Sequence, residues 1–190
     1  HAQSAEGALR ALIDGIDASD KWAAAAGQIT PSGNGATASN VRITGEGDSA
    51  VSIEIGNLTV TGYSEPGGGG FHADEITLDI LTATAPNGEF ELTNVALVGL
   101  TVPDFQSVVF DSERPIVALM QAYSLAAAVE LESGSMDRMV ATEDNQGITS
   151  VVTYENFLVG QIADGKLDVT SAGPVTAEAP EGEGLMKFSI

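Results

Sequence analysis

The chain has no cysteine, which removes disulfides, thiol nucleophiles and thiolate-bound zinc without fixing a compartment. It has two histidines, and one of them is the first residue, so His72 is the only imidazole available for a fixed catalytic role. Basic residues are scarce as well: 7 against 27 acidic ones, a formal charge of −20. A surface this acidic repels phosphate backbones and anionic headgroups, which argues against nucleic acid and against charge-driven membrane binding. No apolar run approaches the roughly 20 residues that a membrane span needs. Aromatics are few, and Trp22, Tyr63, Tyr123 and Tyr154 are scattered without base-stacking or helical spacing. Trp22 reads as core, and Tyr123 as core with its hydroxyl at the rim.

What the chain does have is hydrophobic residues, 43% of the total and regularly placed, so it is not a disordered acidic tail. A chain of 190 residues buries roughly 70% of its unfolded surface and needs no staple. One phrase organises it: Asn57-Leu58-Thr59-Val60-Thr61-Gly62. The phrase recurs as Asn40 to Gly45 and Asn94 to Gly99, and in contracted form as Asn156 to Gly160. Each copy places apolar residues two apart, as a half-buried strand does, with an Asn to turn the chain before it and a Gly to release it after.

Along the chain, residues 4 to 16 predict a helix capped by Ser4, with Leu9, Leu12, Ile13 and Ile16 on one face and Gly15 near its end. The run from Trp22 to Ile29 is read as a strand, and Pro31 to Gly35 as a loop. Strands from Asn40 to Thr44 and from Ala50 to Ile55 form a hairpin through Gly45-Glu46-Gly47-Asp48. Ile53 and Ile55 are followed by Leu58 and Val60, a step of three that predicts a bulge or turn at Gly56-Asn57. After a glycine-rich loop at 67 to 70, Ile76, Leu78 and Ile80 alternate with Glu75, Thr77 and Asp79. Pro86-Asn87-Gly88 turns into a strand that Pro103 ends. From Ser112, Pro115 followed by Ile116, Leu119, Met120 and Tyr123 repeats the first helix's spacing. A strand at Met139 to Thr142, a turn at 145 to 147, a strand from Thr149 to Val159 and a hairpin at Asp164-Gly165 into Leu167 and Val169 complete the pattern. Met186, Phe188 and Ile190 alternate to the last residue, as in a piece of a longer protein. The fold expected is mainly β with two short helices (α+β): a curved antiparallel meander in one domain over 1–190, with repeat halves 4–106 and 112–190.

Chemistry is sparse. His72 beside Asp74 and Glu75 has the composition of a general base or a metal ligand, but a loop histidine has it too. Glu75 and Asp79 share one side of a strand; paired acids hydrolyse glycosides only across a cleft with one held in apolar surroundings. Asp17 with Asp20, and Glu143-Asp144-Asn145, offer oxygens for calcium without matching a known loop spacing. Gly47-Asp48-Ser49-Ala50 resembles the nucleophile block of GDS-type esterases, with an echo at Ser32-Gly33-Asn34. The order is reversed, however, and no histidine follows near the C-terminus. Gly67 to Gly70 lacks the Lys and Ser/Thr of a phosphate-binding loop. No catalytic residue, metal ligand or cofactor is assigned from the sequence, and no ligand-binding residue can be named.

The Asn-apolar-x-apolar-x-Gly strands, the Asp164-Gly165-Lys166 hairpin and a helix leading each block resemble bacterial envelope proteins of the AsmA and TamB type. The resemblance runs from Asn40 to Val169 and rests on generic motifs in a chain much shorter than a lipid bridge. It implies a curved sheet whose apolar face carries or shelters lipid, in an exported, non-enzymatic protein of the periplasm or envelope. The partners expected are a lipid or other hydrophobic small molecule, or an envelope protein. His1-Ala2-Gln3-Ser4 fits the end of a secretory signal, and equally a tag remnant. Two other readings stand beside this one: an acidic structural or adhesive β-domain with a closed core, held by calcium, and a hydrolase built on His72 or a carboxylate pair.

Overall fold

The computed structural model describes residues 4–18, 22–45, 51–65, 70–103, 128–145, 148–164, 166–171, 173 and 175–178. The expected helix around Ile116 to Tyr123, the loop of the first hairpin at 46–50 and the C-terminal alternation at 186–190 lie outside them. Helix α1 spans Ala5–Asp17, and the Ser4 hydroxyl accepts the Gly7 N–H at 3.1 Å, the expected cap. Leu9 and Ile13 are buried, but Leu12 is 56% exposed, because α1 rests on the sheet along a stripe too narrow to include it.

Among the described residues nine strands follow in one open antiparallel sheet: β1 Trp22–Ser32, β2 Gly35–Gly45, β3 Ser52–Thr61, β4 Phe71–Ala85, β5 Gly88–Val102, β6 Ser133–Asn145, β7 Ile148–Ala163, β8 Lys166–Ser171 and β9 Val175–Glu178. The order is sequential from β1 to β8, and β9 also pairs with β7. The mainly β meander expected from the sequence is therefore the fold. β8 and β9 lie end to end along β7, with Leu158 opposite Ser171 and Tyr154 opposite Val175. The turn expected from Pro31 to Gly35 is shorter, since β1 runs through Ser32 and β2 starts at Gly35; Gly33, at φ 61°, makes the turn.

The repeated Asn does not precede strands; it lies inside them. Asn40, Asn94 and Asn156 have φ of 52°, 50° and 53°, within β2, β5 and β7. A left-handed residue cannot continue the extended path, so the strand is creased there and its side-chain alternation slips by one. The register sets these positions side by side. Asn40 lies opposite Gly27 and Gly56, while Asp79, Asn94, Asp137 and Asn156 face one another in turn across β4 to β7. Gly173 closes the row, where any side chain would meet the Glu155 carbonyl. Five residues along β5, Gly99 (φ 63°) starts a second crease beside Asp74 and Gly62 (φ 63°).

Because neighbouring strands from β1 to β7 slip together along the first crease, the apolar face stays in phase. β4 presents Phe71, Ala73, Ile76, Leu78, Leu81 and Ala83, each opposite Val102, Leu100, Leu97, Val95, Leu92 or Phe90 of β5. The step of three expected at Gly56-Asn57 is one instance of this row. Ile80, expected to share a face with Ile76 and Leu78, is instead 38% exposed, because the Asp79 crease hands its place to Leu81.

Candidate binding surface

The apolar face divides according to side-chain size. Around α1 the strands supply small residues: Ala24, Ala36, Ala38 and Ala73 are buried in one cluster with Val41, Val60, Leu9 and Ile13. Alanine lets the helix axis approach the sheet closely, and burying a Leu or Ile there is worth roughly 1.5–3 kcal/mol. Farther along, from β4 to β7, the same face carries Leu78, Leu81, Leu92, Leu97, Met136, Met139, Tyr154 and Phe157, all only half-buried. Among the described residues α1 is the only helix, and the elements it packs on are β1 and β2. Leu12 projects from the flank of α1, an apolar side chain left in solvent beside the sheet.

The opposite face is polar. The hydroxyls of Thr37 and Thr59 meet at 2.9 Å, and Arg42 pairs with Glu54 at 2.7 Å. That ion pair is well exposed and adds little stability. Along the first crease, Asp79 accepts the Asn57 backbone N–H at 2.7 Å, the Asn57 side-chain amide at 2.7 Å and its neighbour Ile80's N–H at 2.6 Å. Burial alone would raise its pKa, but these donors outweigh burial and hold the carboxyl below its usual range. Asn94 Nδ2 likewise donates to Asp137 at 2.7 Å, and the Ser39 hydroxyl donates to Asn57 at 2.8 Å. Side chains thus supply the hydrogen bonds where creased backbones part from the ladder.

His72 lies in β4, between Thr101 at 2.9 Å from Nδ1 and Asp74 at 3.3 Å from Nε2. With Nε2–H given to Asp74, Nδ1 accepts the Thr101 hydroxyl proton, the order of groups in a hydroxyl-nucleophile triad. Acyl transfer also needs donors aimed at the developing oxyanion. Here the three groups lie on the pleated polar face, where the ladder with β5 uses the strand amides, and neither described cleft is lined by them. The sequence singled out His72 with Asp74 and Glu75; it gave no sign of Thr101, which is 29 residues away and arrives by strand register. The Asp74 carboxylate fills the space beside Gly62, where a side chain would overlap it.

The other candidates separate. Asp79 is held ionised by its amide donors, the opposite of what a general acid requires. Asp17 Oδ1 accepts the Ala24 N–H at 3.0 Å, while Asp20 lies outside the described residues. Among the described residues no three metal-ligating side chains gather, Glu143 and Asp144 included. Gly47 to Ala50 also lies outside, and Ser32-Gly33-Asn34 is the β1–β2 turn. Tyr63 stacks on Phe71 at 6.3 Å, and its hydroxyl donates to Glu65 at 3.1 Å; burial first, then Glu65, pushes the phenol up to about 12.

No family model, curated protein or solved structure matches this chain. The surface must therefore be read from its own chemistry. Among the described residues no helix is long and apolar enough to cross a membrane.

Proposed function

We propose that this protein is a non-enzymatic binding protein of the exported, envelope type, and that it holds a lipid-like hydrophobic ligand on the apolar face of its sheet. One observation carries the reading. The side chains buried around α1 are mostly alanine and valine, matched to a helix, whereas those from β4 to β7 include Leu, Met, Phe and Tyr, aligned strand by strand and half-buried. A contiguous patch of such residues favours an apolar occupant, each buried methylene being worth about 0.8 kcal/mol. The first crease runs across β4 to β7 in register, so the patch stays on one side of strands 13 to 16 residues long. An acidic chain with few cations gives little grip to an anionic headgroup, so the acyl portion supplies the affinity.

Titration with a fluorescent polyene fatty acid tests this, together with mass spectrometry of an organic extract of the purified protein. The expected result is saturable binding near one equivalent, weakened at least tenfold by Leu92→Gln with Leu97→Gln and unaffected by Thr59→Ser on the polar face. Binding that ignores the double substitution, or no binding at all, would remove the reading.

A further inference from the structure

The sheet is open, and its first edge is unusual in being uncharged. Among the described residues β1 pairs with β2 alone, and its residues WAAAAGQITPS include no Asp, Glu, Lys or Arg. The other edge carries Lys166, Asp168 and Glu178. Exposed edges are ordinarily blunted by charge, because unpaired N–H and C=O groups recruit further strands. On β1 one outward amide is already capped: Ala24 N–H donates to Asp17 Oδ1 at 3.0 Å. Two residues on, Ala26 turns its N–H the same way. Beyond the crease the outward positions are Ile29 and Pro31, and a proline is tolerated in a sheet where its nitrogen faces away from the ladder. A cleft of about 490 Å³ runs between this edge and α1, lined by Ala24 to Ile29 with Arg10, Ile13 and Asp14. Gln28 apart, the strand side chains there are aliphatic or absent, so the strand offers mainly backbone.

A strand added to β1 must break its own alternation in the row of Gly27, as β2 does opposite it. A second β1 meets that condition. We infer that the chain dimerises by antiparallel pairing of β1 with β1 of a second copy, about a two-fold axis between Gly27 and Gln28. Setting Gly27 opposite the second copy's Gln28 places Ala26 opposite Ile29 and Ala24 opposite Pro31. Apolar positions then meet apolar positions, Ala26 and Ile29 exchange amide-to-carbonyl bonds while the capped Ala24 amide keeps Asp17, and both apolar faces lie on the same side. α1 rests on β1 and β2, so with strands about 4.8 Å apart the two helices come about 10 Å apart, a packed-helix distance. Arg10, Ile13 and Asp14 share the flank of α1 that lines the cleft, so this flank faces its own copy across the axis. Two chains of charge −20 repel one another, and added salt strengthens the dimer by screening.

Sedimentation velocity of the full chain over a wide concentration range, at low and at physiological salt, tests the inference. A species of twice 19.4 kDa is expected, favoured by salt. Ala26→Pro removes an outward N–H that the β1–β2 ladder does not use; it weakens association at least tenfold while leaving the circular dichroism spectrum unchanged. Should that variant unfold, a second arm decides. In this cysteine-free chain, Gln28→Cys places two thiols across the axis with Cα atoms about 6 Å apart, within disulfide reach. It cross-links rapidly, and Lys166→Cys on the far edge does not. A monomer at every concentration, a dimer indifferent to a folded Ala26→Pro variant, or equal cross-linking at both edges would overturn the proposal.

Discussion

Replacing Asn94 by alanine removes two things the first crease depends on. Alanine lacks the short polar side chain that makes φ of 50° tolerable, and the left-handed conformation costs an ordinary L-residue roughly 1–2 kcal/mol. The substitution also deletes the 2.7 Å hydrogen bond from Nδ2 to Asp137. A bond to a charged acceptor is worth about 1.5–3 kcal/mol when buried, and both side chains here are exposed, so about 0.5–1 kcal/mol is the discounted figure. Together the loss is about 1.5–3 kcal/mol, which in a chain of this size lowers Tm by about 3–12 °C. Asn94→Gly separates the two causes, because glycine accepts the backbone angle and loses only the hydrogen bond; its cost is about 1 kcal/mol or less. Urea unfolding followed by far-ultraviolet circular dichroism gives both values from the midpoints, provided the slope is unchanged. An Asn94→Ala protein within 0.5 kcal/mol of the parent, or a glycine variant less stable than the alanine one, would refute the idea that backbone conformation governs the crease.

Asp79 yields a pH prediction. Its folded pKa is depressed by amide donors, so its contribution is fully present above the unfolded carboxylate value of about 3.9 and is lost as pH falls through the lower, folded value. The stability difference between the parent and Asp79→Asn should therefore be constant at neutral pH and shrink below about pH 4, as read from urea midpoints. At the second crease, Gly99→Ala combines φ of 63° with a collision against Glu132; a loss of about 2 kcal/mol or more is expected in the same assay. For the cross-strand latch, His72→Ala and Thr101→Val each cost about 0.5–1.5 kcal/mol, and the double variant should cost less than their sum, the coupling expected of a direct His72–Thr101 bond.

The sequence carried the local features well. Ser4 announces α1, and the step from Ile55 to Leu58 marks the crease in β3. In β4 the same crease was hidden, because Leu78-Asp79-Ile80-Leu81 places apolar residues in both phases and only pairing with β5 selects Leu81. Asn was misread as a turn before each strand for a related reason. Its readiness to adopt positive φ is a local property, whereas continuing as a strand on both sides depends on neighbours that supply the missing hydrogen bonds. The contact of Thr101 with His72 is likewise a consequence of register. β9, with Val-Thr-Ala-Glu, is too short to show alternation and is specified by its line along β7. The alanines of β1 were legible as strand while those of β2, Ala36 and Ala38, fell before the strand read from Asn40; that they make room for α1 emerges only when the helix is seen to lie there.

Methyl-resolved NMR with a nitroxide-labelled fatty acid measures the occupied face directly. If the open half of the sheet is the working surface, the methyl signals of Leu78, Leu92, Val95 and Leu97 broaden on addition of the probe, while those of Leu9, Ile13 and Val41 under α1 keep their intensity. Uniform broadening, or none from β4 to β7, would contradict it.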